Sequence, residues 1–162
     1  MCYAAKNHGL DAVGVDLDAD AKRIGVAHLG VEIITGSIAD VRQSDFDIVT
    51  EIMTLEHVRD PRTHVSEIRN KLRDGGLYAG SVPNWGGAYA RIRGRGWYHL
   101  APPEHLNYFN EKTLTQFLQH LGFDVLYLGT IPLYAAPTIC FGVRGRLNEL
   151  IKKENIYKVI IG

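Results

Sequence analysis

The sequence predicts an α/β domain: a three-layer, mostly parallel sheet with helices on both faces and an antiparallel hairpin at one edge. Three observations predict it. Short β-branched runs alternate with capped helical stretches. The first four runs are separated by helical or short crossover segments, as parallel neighbours require. The pair at 123–129 and 137–143 is joined by a proline-containing turn too short for a helical crossover, so it pairs as a hairpin.

Each element follows from its local sequence. AVGVDL, residues 12–17, is a short apolar run fit for a buried strand. Asp18 caps a helix running to about Leu29, and Gly30 stops it. VEIITG at 31–36 and FDIVTEI at 46–52 are the next strands. Asp60 and Pro61 then open a helix whose Val65, Ile68 and Leu72 form one apolar stripe. Asp74-Gly75-Gly76 ends that helix and turns the chain into LYAGSV, residues 77–82. Residues 83–109 hold prolines, glycines and aromatics without a settled period, which suggests a lid or binding loop. Asn110 caps a helix with Leu114, Phe117, Leu118 and Leu121 on one face, and Gly122 stops it. The tail adds a short helical piece and a β-branched run from Ile156 to Ile161.

Composition narrows the function. The chain of 162 residues has room for one domain. Lysine plus arginine equals aspartate plus glutamate, 18 each, so the basic footprint of a nucleic-acid binder is missing. Two separated cysteines make no disulfide framework, and seven scattered histidines make no familiar metal motif. The expectation is therefore no metal, no nucleic acid and no membrane, in a cytoplasmic protein.

Ligands of open parallel sheets bind beyond the carboxyl ends of the strands. Asp16 stands at such an end, where a carboxylate either accepts the hydroxyls of a ribose or is a solvated turn acid. His57 is either a general base for a hydroxyl or a loop-holding histidine. Glu104 and His105 either orient an acceptor or brace the lid. Trp97, Tyr98, Tyr108 and Phe109 either wall an apolar acceptor pocket or pack the lid onto the sheet. Arg91, Arg93 and Arg95 either meet an anionic group or line a solvated loop.

The order of motifs resembles the class I methyltransferases that use S-adenosylmethionine. VGVDLDADA is similar to their second strand with its ribose-binding acid, and FDIVTEIMTLEHVRDP to their fourth strand and following loop. LRDGGLYAGSVPN is similar to their fifth-strand motif. PPEHLNYFNEKTLTQFLQHLGFDV is similar to a signature of the branch containing ubiquinone-biosynthesis O-methyltransferases. The likeness covers roughly residues 3–143 and implies a Rossmann-like sheet whose last strand is antiparallel. It implies cofactor contacts from Asp16 and Leu17, from Gly36, Ser37 and Ile38 in the turn after the third strand, and from Glu51 and Ile52 after the fourth. It gives His57 and His105 catalytic positions, and Trp97, Tyr98, Tyr108 and Arg95 positions facing a small-molecule acceptor.

One departure stands out. The family's acidic-x-glycine-x-glycine loop, which wraps the methionine end of the cofactor, is not found, and MCYAAKNH resembles the helix that follows it. The expected domain thus covers 1–145 and lacks its first, central strand and glycine loop, with 146–162 as a tail. The spare run Tyr157–Ile161 either fills the central gap, within one chain or by exchange in a homodimer, or lies along the surface. Three functions remain open: methyl transfer to a small-molecule acceptor, with the glycine motif supplied upstream; an inactive, truncated methyltransferase-like structural or interaction protein; and another nucleotide-binding module.

Overall fold

The computed structural model describes residues 1–133, 136–145 and 158–161. Its strands are β1 (Asp11–Asp16), β2 (Glu32–Thr35), β3 (Phe46–Ile52), β4 (Leu72–Pro83), β5 (Phe123–Leu133), β6 (Ala136–Gly145) and β7 (Lys158–Ile161). Its helices are α1 (Cys2–Asn7), α2 (Ala19–Ile24), α3 (Pro61–Lys71), α4 (Ala88–Arg93) and α5 (Glu111–His120). All seven strands form one sheet in the order β2-β1-β7-β3-β4-β6-β5. Neighbours from β2 to β4 are parallel, and β6 runs antiparallel to both β4 and β5. This is the expected α/β class with its antiparallel edge.

The middle of the sheet is closed from the far end of the chain. β7 pairs parallel with β1 through Val13↔Ile160 and with β3 through Val49↔Ile160. Ile160 is buried, as are Val13 and Val49 on either side of it. Without β7, the inner edges of β1 and β3 would leave backbone groups unpaired in the core. The helical piece expected in the tail lies outside the described residues.

Three local differences have identifiable causes. The helix expected to reach Leu29 is α-helical only to Ile24; Gly25–Leu29 widens into a π turn, ended by Gly30 at φ 60°. α3 stops at Lys71 rather than at Asp74–Gly76, because Leu72 is already extended and pairs with Phe46 as a buried residue of β4. The register then shifts between Phe46 and Ile48, with Gly75 at φ 70° taking up the irregularity.

The capping expectations hold. Asp60 accepts from the Thr63 amide with Pro61 in the first turn of α3. Asn110 and Thr113 form a reciprocal capping box on α5. Val65 and Ile68 of α3 and Leu114 and Leu118 of α5 are fully buried in the main core. The long segment after β4 is tied at its base, where Trp85 N donates to Phe109 O and Asn84 bridges to Phe109. Among the described residues, no helix is long and apolar enough to cross a membrane.

Candidate functional site

A cleft of about 610 Å³ opens at the carboxyl ends of β1, β2 and β3. The sheet places its walls. β1 ends in Asp16, whose Oδ1 accepts the Asp18 amide at 2.8 Å, while Oδ2 has no partner among the described residues. Leu17 follows, 82% exposed at the rim. The turn after β2 is held from both sides. Gly36 N donates to Asp16 O, and the Asp40 carboxylate accepts both the amide and the hydroxyl of Ser37. Those hydrogen bonds hold the Asp40 carboxyl below its ordinary value. Gly36 has φ 141°, and a Cβ there would strike the Asp40 side chain, so the turn requires glycine.

Asp16, Leu17, Gly36, Ser37, Ile38, Glu51 and His57 all line this cleft. Ile52 faces a neighbouring hollow of about 400 Å³ instead, since alternate strand residues point to opposite faces. Glu51 is buried and committed: Tyr78 Oη donates to its Oε2 at 2.7 Å, and His64 Nε2 lies 2.5 Å from Oε1. Burial, reinforced by Glu51, raises the Tyr78 hydroxyl well above its ordinary value. For His64, burial pulls downward, but the hydrogen bond and charge of Glu51 together leave it raised.

The cleft also takes Met53, Thr54, Arg59 and His64, which the sequence reading did not single out as site residues. Met53 adopts φ 54°, a strained value for a residue with a Cβ, at the point where the chain leaves β3. For His64 a signal existed: it precedes Ile68 by one helical turn and so shares the inner side of α3.

His57 and the segment 83–109, expected as a lid or binding loop, are interlocked. The short helical turn Leu55–His57 follows β3, and Glu56 O accepts the amides of Leu106 and Asn107 at 2.7 and 3.0 Å. Asn107 Nδ2 donates back to Val58 O at 2.6 Å. His57 Nδ1 meets Glu104 O at 2.8 Å, and His105 Nδ1 meets His99 O at 2.7 Å. A carbonyl can only accept, so both imidazoles carry their proton on Nδ1 when neutral and keep Nε2 as a lone pair. The two rings meet edge to face at 4.7 Å. Glu104 therefore braces through its backbone, and His105 sits beside His57.

The aromatic residues divide differently. Trp97 is buried, with its ring 5.5 Å from Trp85 and 5.4 Å from His99. Tyr108 donates to His105 O and packs on Trp85. Tyr98 is 81% exposed, and Arg95 is exposed in the turn Gly94–Gly96. None of these lines the cleft. Trp97 and Tyr108 pack within the 83–109 segment, while Tyr98 and Arg95 face solvent.

Comparisons with known proteins agree on the fold. A family model described as a methyltransferase domain matches residues 1–128. A probable S-adenosylmethionine-dependent methyltransferase of Mycolicibacterium smegmatis is 31% identical over 117 residues, 70% of this chain. The match spans only 43% of that relative's length. A crystal structure of a SAM-dependent methyltransferase from Methanosarcina mazei superposes with a TM-score of 0.68 at 15% identity, covering 90% of this chain and 86% of that one. The 1,6-didemethyltoxoflavin-N1-methyltransferase of Burkholderia thailandensis, with 1,6-didemethyltoxoflavin and S-adenosylhomocysteine bound, gives 0.60 at 15% identity over 90% and 76%.

Proposed function

Because the chain belongs to the methyltransferase-domain family, we propose that it binds S-adenosylmethionine in the cleft beyond β1, β2 and β3 and methylates a hydroxyl of a small-molecule acceptor. One observation carries this reading. Asp16, the Gly36–Ile38 turn and His57 converge on one cleft from three successive strand ends. That is where open parallel sheets bind nucleotides.

The residues fit the adenosyl half of the cofactor. The free Oδ2 of Asp16 is an acceptor for ribose hydroxyls, and the amide-rich turn at 36–38 lies beside an aliphatic wall of Val15, Leu17 and Ile38. When bound, the cofactor supplies an electrophilic sulfonium methyl. His57 lines the cleft with its Nδ1 held by the Glu104 carbonyl, which leaves Nε2 as the ring atom to take the acceptor's hydroxyl proton as the oxygen attacks the cofactor's methyl. Glu51 acts indirectly: its bonds to Tyr78 and His64 fix the floor on which the ligand lies.

Ile160 favours a second reading. Between β1 and β3 the wall formed by the described residues includes this aliphatic side chain, which offers no hydrogen bond to the polar methionine end of the cofactor. On that reading the chain holds an adenosyl group without transferring a methyl.

Calorimetry with S-adenosylhomocysteine tests the cofactor site. Weak binding is expected, and Asp16→Ala weakens it by about 1.5–3 kcal/mol, the worth of hydrogen bonds to a charged acceptor. Tight binding unchanged in Asp16→Ala would overturn the site. Binding without label transfer from methyl-labelled S-adenosylmethionine to any hydroxyl acceptor would select the second reading.

A further inference from the structure

Charge along the cleft is divided by strand. Asp16 stands at the end of β1, whereas Arg59 and His64 line the cleft where the chain passes from β3 into α3. The arginines expected to meet an anionic group, Arg91, Arg93 and Arg95, line no part of it. Arg59 is exposed and has neither a hydrogen bond nor an ion pair among the described residues. Its neighbour Asp60 is committed to capping α3. Asp60 Oδ1 accepts the Thr63 amide at 3.1 Å, and Oδ2 accepts the Thr63 hydroxyl at 2.7 Å.

His64 is aimed by the pair beneath it. Its Nε2 is 2.5 Å from Glu51 Oε1, while Glu51 Oε2 accepts from Tyr78 at 2.7 Å, so the ring is fixed through one nitrogen. Nδ1 has no partner among the described residues, and the side chain keeps 15% of its surface open where it lines the cleft. A carboxylate only accepts, so Nε2 carries a proton in either charge state, and a second proton makes Nδ1 a donor. Burial opposes that second proton, but the hydrogen bond and charge of Glu51, with Glu67 further along α3, outweigh it. Glu51 balances the charge of the imidazolium. Arg59 therefore brings the net positive charge, and His64 a hydrogen bond of fixed direction.

We propose that Arg59 and His64 bind an anionic oxygen group carried by the methyl acceptor, a carboxylate or a phosphate, so that the substrate is a hydroxylated acid. The guanidinium supplies a planar fork of donors and the imidazolium a single directed one, the charge-assisted bonds that such groups accept best. Val49, Val58 and Ile160 give the apolar body of the molecule a surface in the same cleft, and its hydroxyl is left for His57. Anion binding rests on these side chains alone; its assignment to the acceptor rests on the methyl-transfer reading. The other source of the same chemistry is the carboxylate at the methionine end of the cofactor.

The test is a nuclear magnetic resonance titration of the full chain with benzoate, phenyl phosphate and uncharged benzyl alcohol. Parallel titrations use S-adenosylhomocysteine and 5′-methylthioadenosine, which lacks the cofactor's carboxylate. At least one of the two anions should bind about tenfold more tightly than benzyl alcohol and move the His64 ring ¹⁵N signals while leaving exposed His120 unmoved. Arg59→Ala and His64→Gln should each weaken that anion about tenfold and benzyl alcohol not at all. Should His64→Gln fail to fold by circular dichroism, Arg59→Ala decides, since that side chain bonds to nothing in the fold. Equal affinity for charged and uncharged probes, an unmoved His64 ring, or full anion affinity in Arg59→Ala would overturn the site. A loss of S-adenosylhomocysteine affinity in Arg59→Ala, with 5′-methylthioadenosine unaffected, would give the pair to the cofactor and overturn the acceptor assignment. Anion binding as expected in a chain that binds neither nucleoside would keep the site and remove the methyl-transfer reading.

Discussion

Glu51, His64 and Tyr78 show how a residue's place in the fold outranks its apparent role. The acid at the end of β3 reads from sequence as a ligand contact. In the structure both of its oxygens are taken by a phenol and an imidazole inside the protein. Nothing local signals this, because Tyr78 meets Glu51 only through the pairing of β3 with β4. Asp16 is legible as an acid at the end of its own strand, where it accepts the Asp18 amide, whereas Gly36 is singled out only by the family resemblance. The paired His64 is raised above its ordinary value of 6.5, so the folded state holds its proton more tightly than the unfolded chain does. Its contribution is fully present below the unfolded value and disappears as pH rises through the native one. His64→Gln should therefore cost about 1–3 kcal/mol at about pH 5.5 and clearly less at about pH 9, by urea unfolding. A cost that grows toward alkaline pH would contradict the pairing.

At the scale of elements, caps and stripes did most of the predictive service. Asp60-Pro61 and Asn110 announce α3 and α5 from local chemistry, and the buried residues fall at the expected spacings. Asn110→Ala removes the bond to the Thr113 amide and should cost about 0.5–2 kcal/mol in chemical denaturation. An unchanged midpoint would show that the box is ornamental. What escaped the sequence were the contacts between elements. The lid from 83 to 109 read as aromatic and aperiodic. Its grip on Glu56, Leu55 and Val58 through Leu106 and Asn107 joins segments some fifty positions apart. For the same reason His57 and His105 read as separate candidates, although the fold sets their rings side by side.

For the whole molecule, the sheet explains both the cleft and its peculiarity. Alternation of strands and helices indicates parallel strands from local runs alone, and their order only through the family resemblance. The central position was legible only as a deficit, with an unassigned β-branched run elsewhere in the chain. β7 occupies that position and delivers Ile160 both to the core and to the floor of the cleft. On the proposed function an adenosyl ligand lies beyond β1 and β2 on a cleft floored by β7 and β3. Backbone amide shifts on titration with S-adenosylhomocysteine test it most directly. The amides of Asp16–Asp18 and Gly36–Ala39 should shift together, along a single saturable curve, while those of β5 and α5 stay fixed. Saturable shifts confined to the lid or the hairpin edge, or no shifts at ligand concentrations far above those used for calorimetry, would contradict it.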